Sequence, residues 1–283
     1  VNFAMLFRRP EFNLLYDNAY GDAQRGNQLF GNPDIGPERQ INYEMGYQGV
    51  IDDDYSIDLT AYYRDIFNQT GVLYVPALPS PYLIYDVNEF GNVRGVEATL
   101  RRRLCNNFRG ELNYTAQKAV GTASSPAANY STVVGAPDPY TGQTKSAPLT
   151  EYPLSFDVAH KANLNLAFVW GKGEGPSIGG VLPLEGATIS IGASFATGIP
   201  YTLESSRGVQ LSQMNALRFP ATFNTDAHIE RAFRLAELFG EGFGAMEVSL
   251  FADINNLLNL TAASGVNISR NVGGSLFSIS GNA

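Results

Sequence analysis

The stretch IDDDYSIDLTAYYRDI, residues 51–66, alternates from Tyr55 onward. Tyr55, Ile57, Leu59, Ala61 and Tyr63 fall on one side, and Ser56, Asp58, Thr60, Tyr62 and Arg64 on the other. That is the period of a β-strand, whose successive side chains point to opposite faces. Three aspartates, Asp52, Asp53 and Asp54, stand just before it. An apolar face occurs in soluble sheets, where it meets a core, and in membrane-spanning strands, where it meets lipid. One strand does not separate the two, so its neighbours must.

The alternation recurs along the chain. Residues 41–51, 96–104, 108–117, 161–170, 187–195, 223–233 and 246–254 each set apolar positions against Asn, Gln, Thr, Ser or charged ones. With the opening residues 1–9, this gives about nine strands. The connections carry further information. Residues 10–40, 67–90, 120–158 and 198–222 and the tail from 258 are long and rich in Gly, Pro, Asn or Ser. Asp52–Asp54, Cys105–Asn107, 171–186 and 236–242 are short or comparatively so. Long and short links alternate, which puts every long loop at one end of the strands. A transmembrane barrel does this, with short periplasmic turns and long extracellular loops. A soluble sandwich, the competing reading, has no reason to. The expected fold is therefore all-β, an antiparallel transmembrane β-barrel with nine or ten strands in this chain.

Composition narrows the function. Of 283 residues 44% are apolar and 16% charged, with 29 Gly, 15 Tyr and 17 Phe, a profile of turns and aromatic girdles. A net charge of −8 disfavours a nucleic-acid partner, which needs a basic footprint. Cys105 is alone, and His160 and His228 are far apart, so neither a disulfide framework nor a His-based metal site is expected. No cofactor is indicated. Asp157 and His160 lie close, but no nucleophile motif accompanies them, and the chain does not read as an enzyme. The first residues, VNFAMLFRR, show neither an initiator Met nor a signal peptide and read as already inside a strand.

At residues 32–46, NPDIGPERQINYEMG, the chain resembles the TonB-dependent outer-membrane receptors. Asn32, Pro33, Pro37, Glu38, Asn42, Tyr43, Glu44 and Gly46 match the family's NP-x-L-x-PE element and its following x-N-Y-E-x-G strand, with Ile35 in place of Leu. AYYRDIFN (61–68), YDVNEFGNVRGVEATLRRRL (85–104), PLSFDVAHKANLNLAF (153–168) and FADINNLLN (251–259) are similar to later family elements, in family order. GIPYT (198–202) and the N-x-x-R-x-P of 215–220 look most like the Oar-like branch, which carries a carboxypeptidase-regulatory-like domain ahead of its plug. The resemblance implies a barrel of about 22 strands, closed by an N-terminal plug, that imports large or scarce nutrients with energy from TonB. Residues 1–283 would then be the C-terminal portion of one barrel domain, with the plug and the N-terminal strands outside this sequence. The terminal SLFSISGNA lacks the aromatic strand expected of barrel assembly, which leaves 270–283 as a poor tenth strand or a stop before the closing one.

On this reading the lumen is lined by Glu44, Asp58, Arg64, Glu97, Arg101, Glu111, Lys161 and Glu247. The loop tyrosines Tyr82, Tyr85, Tyr140 and Tyr201 are the ligand-contact candidates. The aspartates before Tyr55 are expected in a solvated turn, since the DxDxDG spacing of a calcium loop is absent. Arg102 lands on the apolar side beside a turn, where it can snorkel to headgroups. The implied partners are outer-membrane lipid, TonB through the plug, and a ligand of siderophore, glycan or peptide class, with a substrate-binding surface protein as a further one. The alternative function is a structural or adhesin-like barrel that uses its loops for contact, and a third is a soluble β lectin.

Overall fold

The computed structural model describes residues 1–16, 29–78, 81–130, 150–203, 211–235 and 246–258, with the backbone of 266–267 and 278–279. In chain order the elements begin β1 (Asn2–Arg8), α1 (Phe12–Tyr16), β2 (Leu29–Phe30), β3 (Glu38–Asp52), β4 (Tyr55–Val75), β5 (Tyr82–Cys105) and β6 (Phe108–Gly121). They continue with β7 (Tyr152–Pro153), β8 (His160–Val169), β9 (Ala187–Ala196), β10 (Pro200–Tyr201) and β11 (Leu217–Arg218). Last come β12 (Thr222–Arg234), β13 (Glu247–Ile254), β14 (Val266–Asn267) and β15 (Ser278–Ile279). Among the described residues no helix is long and apolar enough to cross a membrane.

Nine long strands form one sheet in the order β1-β3-β4-β5-β6-β8-β9-β12-β13, each antiparallel to its neighbour in the list. The register turns single-strand alternation into a property of the whole sheet. Tyr47, Leu59, Ala98, Tyr114, Ala162, Phe195 and Phe223 are successive cross-strand partners. One residue along, on the other face, the row reads Gln48, Asp58, Thr99, Asn113, Asn163, Ser194 and Asn224. A slip of one residue in any strand would exchange its faces, so the pattern fixes the pairing.

In β4 the burial of the two faces is reversed from that of a soluble sheet. On the apolar face Tyr55, Leu59, Ala61 and Tyr63 are exposed, and Met45 and Leu250 are each 64% exposed. On the polar face Ser56, Asp58, Thr60 and Arg64 are half-buried and Tyr62 is buried. The main buried apolar cluster lies off the sheet's broad faces, at the end where the long connections gather. There Leu14 of α1, Leu29 of β2 and Ile35 pack on Val72 of β4 and on Leu83 and Tyr85 of β5.

The opposite end carries the turns. Residues 53–54 join β3 to β4. Asn106 and Asn107 join β5 to β6 with φ of 49° and 63°, the two left-handed positions of a type I′ hairpin turn, which asparagine tolerates. The link from β8 to β9 is longer and turns on Gly173, Gly175, Gly179, Gly180 and Gly186, all at positive φ. The expected link at 236–242 lies outside the described residues, as does nearly all of 270–283.

One connection is not a loop. Residues 67–90 were expected as a long link, but β4 runs on to Val75 and β5 starts at Tyr82, so most of the stretch is a hairpin rising above the sheet. Beyond Phe67, the last β4 partner of β3, eight more residues continue for about 25 Å at about 3.3 Å each. A bulge at Asn68 (φ 58°) lets the strand turn as it leaves the sheet. The expected loop at 10–40 likewise holds α1 and β2, which runs parallel to β5, and that at 198–222 holds the β10–β11 pair.

Candidate functional site: polar face and long-loop rim

The polar face is wired across strands. Arg101 Nη1 donates to Asp58 Oδ2, and its Nε donates to Glu111 Oε2 at 3.1 Å. Asn113 Nδ2 donates to the other Glu111 oxygen at 2.6 Å and receives the Thr99 hydroxyl at 2.8 Å. Further toward the rim, Arg64 approaches Glu44 at 3.7 Å and stacks over Tyr62 at 4.7 Å. The Tyr62 hydroxyl donates to Gln117 Oε1 at 3.1 Å. Between β12 and β13, Arg234 Nε donates to Glu247 at 3.1 Å, and Nδ1 of His228 lies 2.6 Å from Asp253 Oδ1.

All eight sequence-chosen polar residues fall on this face. Glu44–Arg64, Asp58–Arg101–Glu111 and Glu247 are brought into ion pairs. Glu97 and Lys161 share a row through Thr115 but form no pair. Asn113, Gln117, Tyr62, His228 and Asp253 fall on this side of the alternation but were not among the chosen lumen-lining residues. At the turn end this face opens into a cavity of about 670 Å3, lined in part by Asp54, Arg103, Arg109 and Asn165.

At the rim the long connections are tied together. Asp157 is 1% exposed, and its Oδ1 accepts the Ala119 amide at 2.7 Å. Arg218 of β11 donates to Asp157 Oδ2 through Nη2. Its Nη1 reaches the Asp157 carbonyl at 2.8 Å and the Gly198 carbonyl at 3.2 Å. Asn215, at φ 52°, donates its backbone N–H to Thr202 Oγ1 at 2.8 Å and its side chain to the Pro153 carbonyl at 2.8 Å. The GIPYT and N-x-x-R-x-P segments are thus two halves of one clasp, closed on PLSFD of the preceding loop. A second tie holds residues 122–130: Asn129 donates to buried Glu89 at 2.7 Å and to the Thr122 carbonyl at 3.1 Å.

The sequence-chosen tyrosines divide. Tyr85 is 3% exposed inside the rim cluster, so its ring is a core group and not a presented one, because its expected loop is a strand. Tyr82 is half-buried with Phe30 edge-on at 5.8 Å, and Tyr201 packs on Phe219 at 4.5 Å. Tyr140 lies outside the described residues. A second cavity, of about 340 Å3, opens at the rim between Arg9, Glu38, Gln69, Ser125 and Phe156.

Asp157 and His160 are not partners: His160 Nδ1 lies 2.8 Å from the Tyr114 hydroxyl, while Asp157 serves Arg218. Asp52 caps the Asp53 amide at 2.7 Å, and Asp54 accepts Arg103 Nε at 2.9 Å. A hydrogen bond from the Cys105 thiol, with Arg103, lowers the Asp54 pKa. No cluster of three His, Cys, Asp or Glu side chains suited to a metal occurs among the described residues. Arg102 does emerge on the apolar face, stacked over Phe108 at 4.9 Å and Tyr55 at 5.5 Å.

Residues 1–257 match the family described as "TonB dependent receptor-like, beta-barrel". No curated protein sequence matches the chain. Among solved structures it is similar to the outer membrane transporter YddB from Escherichia coli, at a TM-score of 0.57 and 12% identity over 91% of this chain. It is similar to the pyoverdine receptor FpvA from Pseudomonas aeruginosa PAO1, at 0.55 and 14% over 98%. It is also similar to the ferric-catecholate import receptor Fiu from E. coli K12, at 0.52 and 14% over 94%. The match takes up 33%, 31% and 29% of those chains respectively, so this chain spans about a third of their length. These relatives are receptors and transporters, not enzymes, and the chain belongs to the TonB-dependent receptor β-barrel family.

Proposed function

We propose that this sheet is part of the wall of an outer-membrane import receptor, its apolar face in lipid and its polar face toward a watery lumen. The observation that carries the reading is the reversed burial of β4: most of its apolar positions are exposed, and most of its polar ones are half-covered. The dimensions agree. From Tyr55 to Tyr63 the band covers eight residue steps, about 27 Å along a strand, or about 21 Å of height at a tilt of about 40°. That is close to the apolar band of about 25 Å of outer-membrane barrels.

On this reading the long-loop end is extracellular, and the rim captures ligand and hands it to the lumen. A plug and further strands elsewhere in the receptor, completing about 22, would close the barrel and couple release to TonB. The likeness to receptors named for pyoverdine and ferric catecholates supports a siderophore-class ligand over a glycan or peptide. The raised β4–β5 hairpin, with Tyr74 47% and Leu78 97% exposed, favours a second reading, a surface-contact barrel.

Cysteine scanning tests the orientation. In a Cys105→Ser background, Leu59→Cys should react with a lipid-phase probe and Thr60→Cys with a membrane-impermeant maleimide. Aqueous labelling of Leu59→Cys would refute the wall assignment. Ligand uptake that vanishes without TonB would separate import from surface contact.

A further inference from the structure

On the long-loop side the apolar face ends in a row that changes character along its length. Phe3, Tyr43, Tyr63, Arg94 and Lys118 are successive cross-strand partners on β1, β3, β4, β5 and β6. The three rings neighbour one another at centroid distances of 5.4 and 6.4 Å. Two residues toward the turns, the same face reads Met45, Ala61, Val96 and Ala116. Two residues toward the rim it reads Ile41, Asp65, Asn92 and Val120. Arg94 and Lys118 therefore stand where the apolar band stops.

These two cations lie directly opposite each other, and both are exposed. Like charges so placed destabilise a sheet. Among the described residues neither makes an ion pair or a hydrogen bond. Of the acidic side chains nearby, Glu151 accepts from Asn92 at 3.2 Å, and among the described residues neither it nor Asp65 forms an ion pair with either cation. Both heads are therefore open to an added anion.

We infer that Arg94 and Lys118 bind the phosphate of a membrane lipid headgroup in the leaflet on the long-loop side. The inference rests on the proposed lipid-facing role of the band. A phosphate seated between the two heads turns a repulsive pair into two charge-assisted hydrogen bonds. The acyl chains then run down over Val96 and Ala116, while Tyr43 and Tyr63 hold the headgroup level as interfacial rings do. The placement at the band's edge commits the site to a lipid phosphate, since a free anion would gain nothing from the apolar surface below.

The test uses the full-length receptor carrying this segment, purified in detergent, with lipid adducts read by native mass spectrometry. The probes are diphosphorylated lipid A, the same glycolipid with its phosphates removed, and inorganic phosphate. The wild type should retain the phosphorylated lipid at least about tenfold better than the phosphate-free one. The double variant Arg94→Gln, Lys118→Gln should lose that preference, and Arg94→Lys should keep most of it. In lipid-free detergent the double variant should melt no lower than wild type, because a repulsion has been removed. Equal retention of both glycolipids, an unchanged adduct in the double variant, or displacement by equimolar inorganic phosphate would each overturn the inference. Failure of the wall assignment looks different: the protein would stay dispersed without detergent and hold neither glycolipid.

Discussion

Replacing Arg218 with Met isolates the clasp at the rim, because Met keeps an aliphatic stem and removes the guanidinium. Asp157 is left 1% exposed with a charge on Oδ2 that has lost its partner, and the Gly198 and Asp157 carbonyls each lose a donor. Stranding one member of a buried pair costs about 3–5 kcal/mol. The Arg218 side chain is 34% exposed, so water can replace part of the lost contact, and about 2–3 kcal/mol is the better expectation. The loss is local. It should appear as faster hydrogen exchange at the Ala119, Leu154 and Phe219 amides, which hydrogen-bond to Asp157, Ala119 and Ile199. At about 1.4 kcal/mol per tenfold, exchange there should accelerate about 30- to 150-fold, with β4 and β5 amides below the rim unchanged. Adding Asp157→Asn should restore part of the protection, since a neutral amide is less costly to leave half-paired than a carboxylate. The reasoning fails if Arg218→Met changes these rates less than about threefold, or if the double variant is worse than the single one.

Three further outcomes are expected. A Cβ at Gly198 would run into the Phe219 carbonyl, a backbone atom that cannot step aside, so Gly198→Ala should open the β10–β11 pair and expose the Phe219 amide to exchange while leaving the sheet intact. Leu83 is 1% exposed in the rim cluster, and Leu83→Ala should cost about 2–5 kcal/mol there, read as protease cleavage of the β4–β5 hairpin without loss of the receptor's heat-resistant migration. Asp54 has a lowered folded-state pKa, so its contribution to the β3–β4 turn is present above its unfolded pKa and lost as pH falls through the folded one. The protection factor of the Tyr55 amide, its exchange rate relative to the intrinsic one at the same pH, should therefore fall only in acid, and Asp54→Asn should abolish that pH dependence.

The strands were legible because their two faces meet different surroundings, and a period of two records that difference residue by residue. Where both faces meet protein or water in turn, the record breaks. In GVLYV of β4, Val72 enters the rim cluster while Leu73 and Tyr74 stay exposed, and the bulge at Asn68 shifts the phase below them. With Pro76, Pro79 and Pro81 beyond, the stretch reads as a loop, and Tyr85 reads as a displayed aromatic when it is a buried one. The clasp was hidden for another reason. GIPYT and N-x-x-R-x-P mark themselves as motifs, but Arg218 finds Asp157 across 61 positions, a pairing with no local period. His160, three residues from Asp157, suggested a relationship that the fold does not make.

Reversed burial also divides the molecule by what holds it together. On the proposed reading the band depends on the hydrogen-bond ladder, because lipid rewards no apolar contact that it can make itself. On the same reading the rim stands in water, and it depends on an ordinary small core, a buried ion pair and side-chain ties. Among the described residues β1 and β13 each show one edge without a partner, and lipid offers no donors or acceptors to such an edge. On the proposed reading, strands outside the described residues complete the wall, and they must match the register of these edges. The rim is under no such constraint. Its backbone is irregular yet pinned at Asp157, Asn215 and Asn129, so its shape can differ between receptors while the ladder beneath stays the same. On the proposed reading ligand choice belongs to that part of the chain, and substitutions there should alter capture before they alter folding.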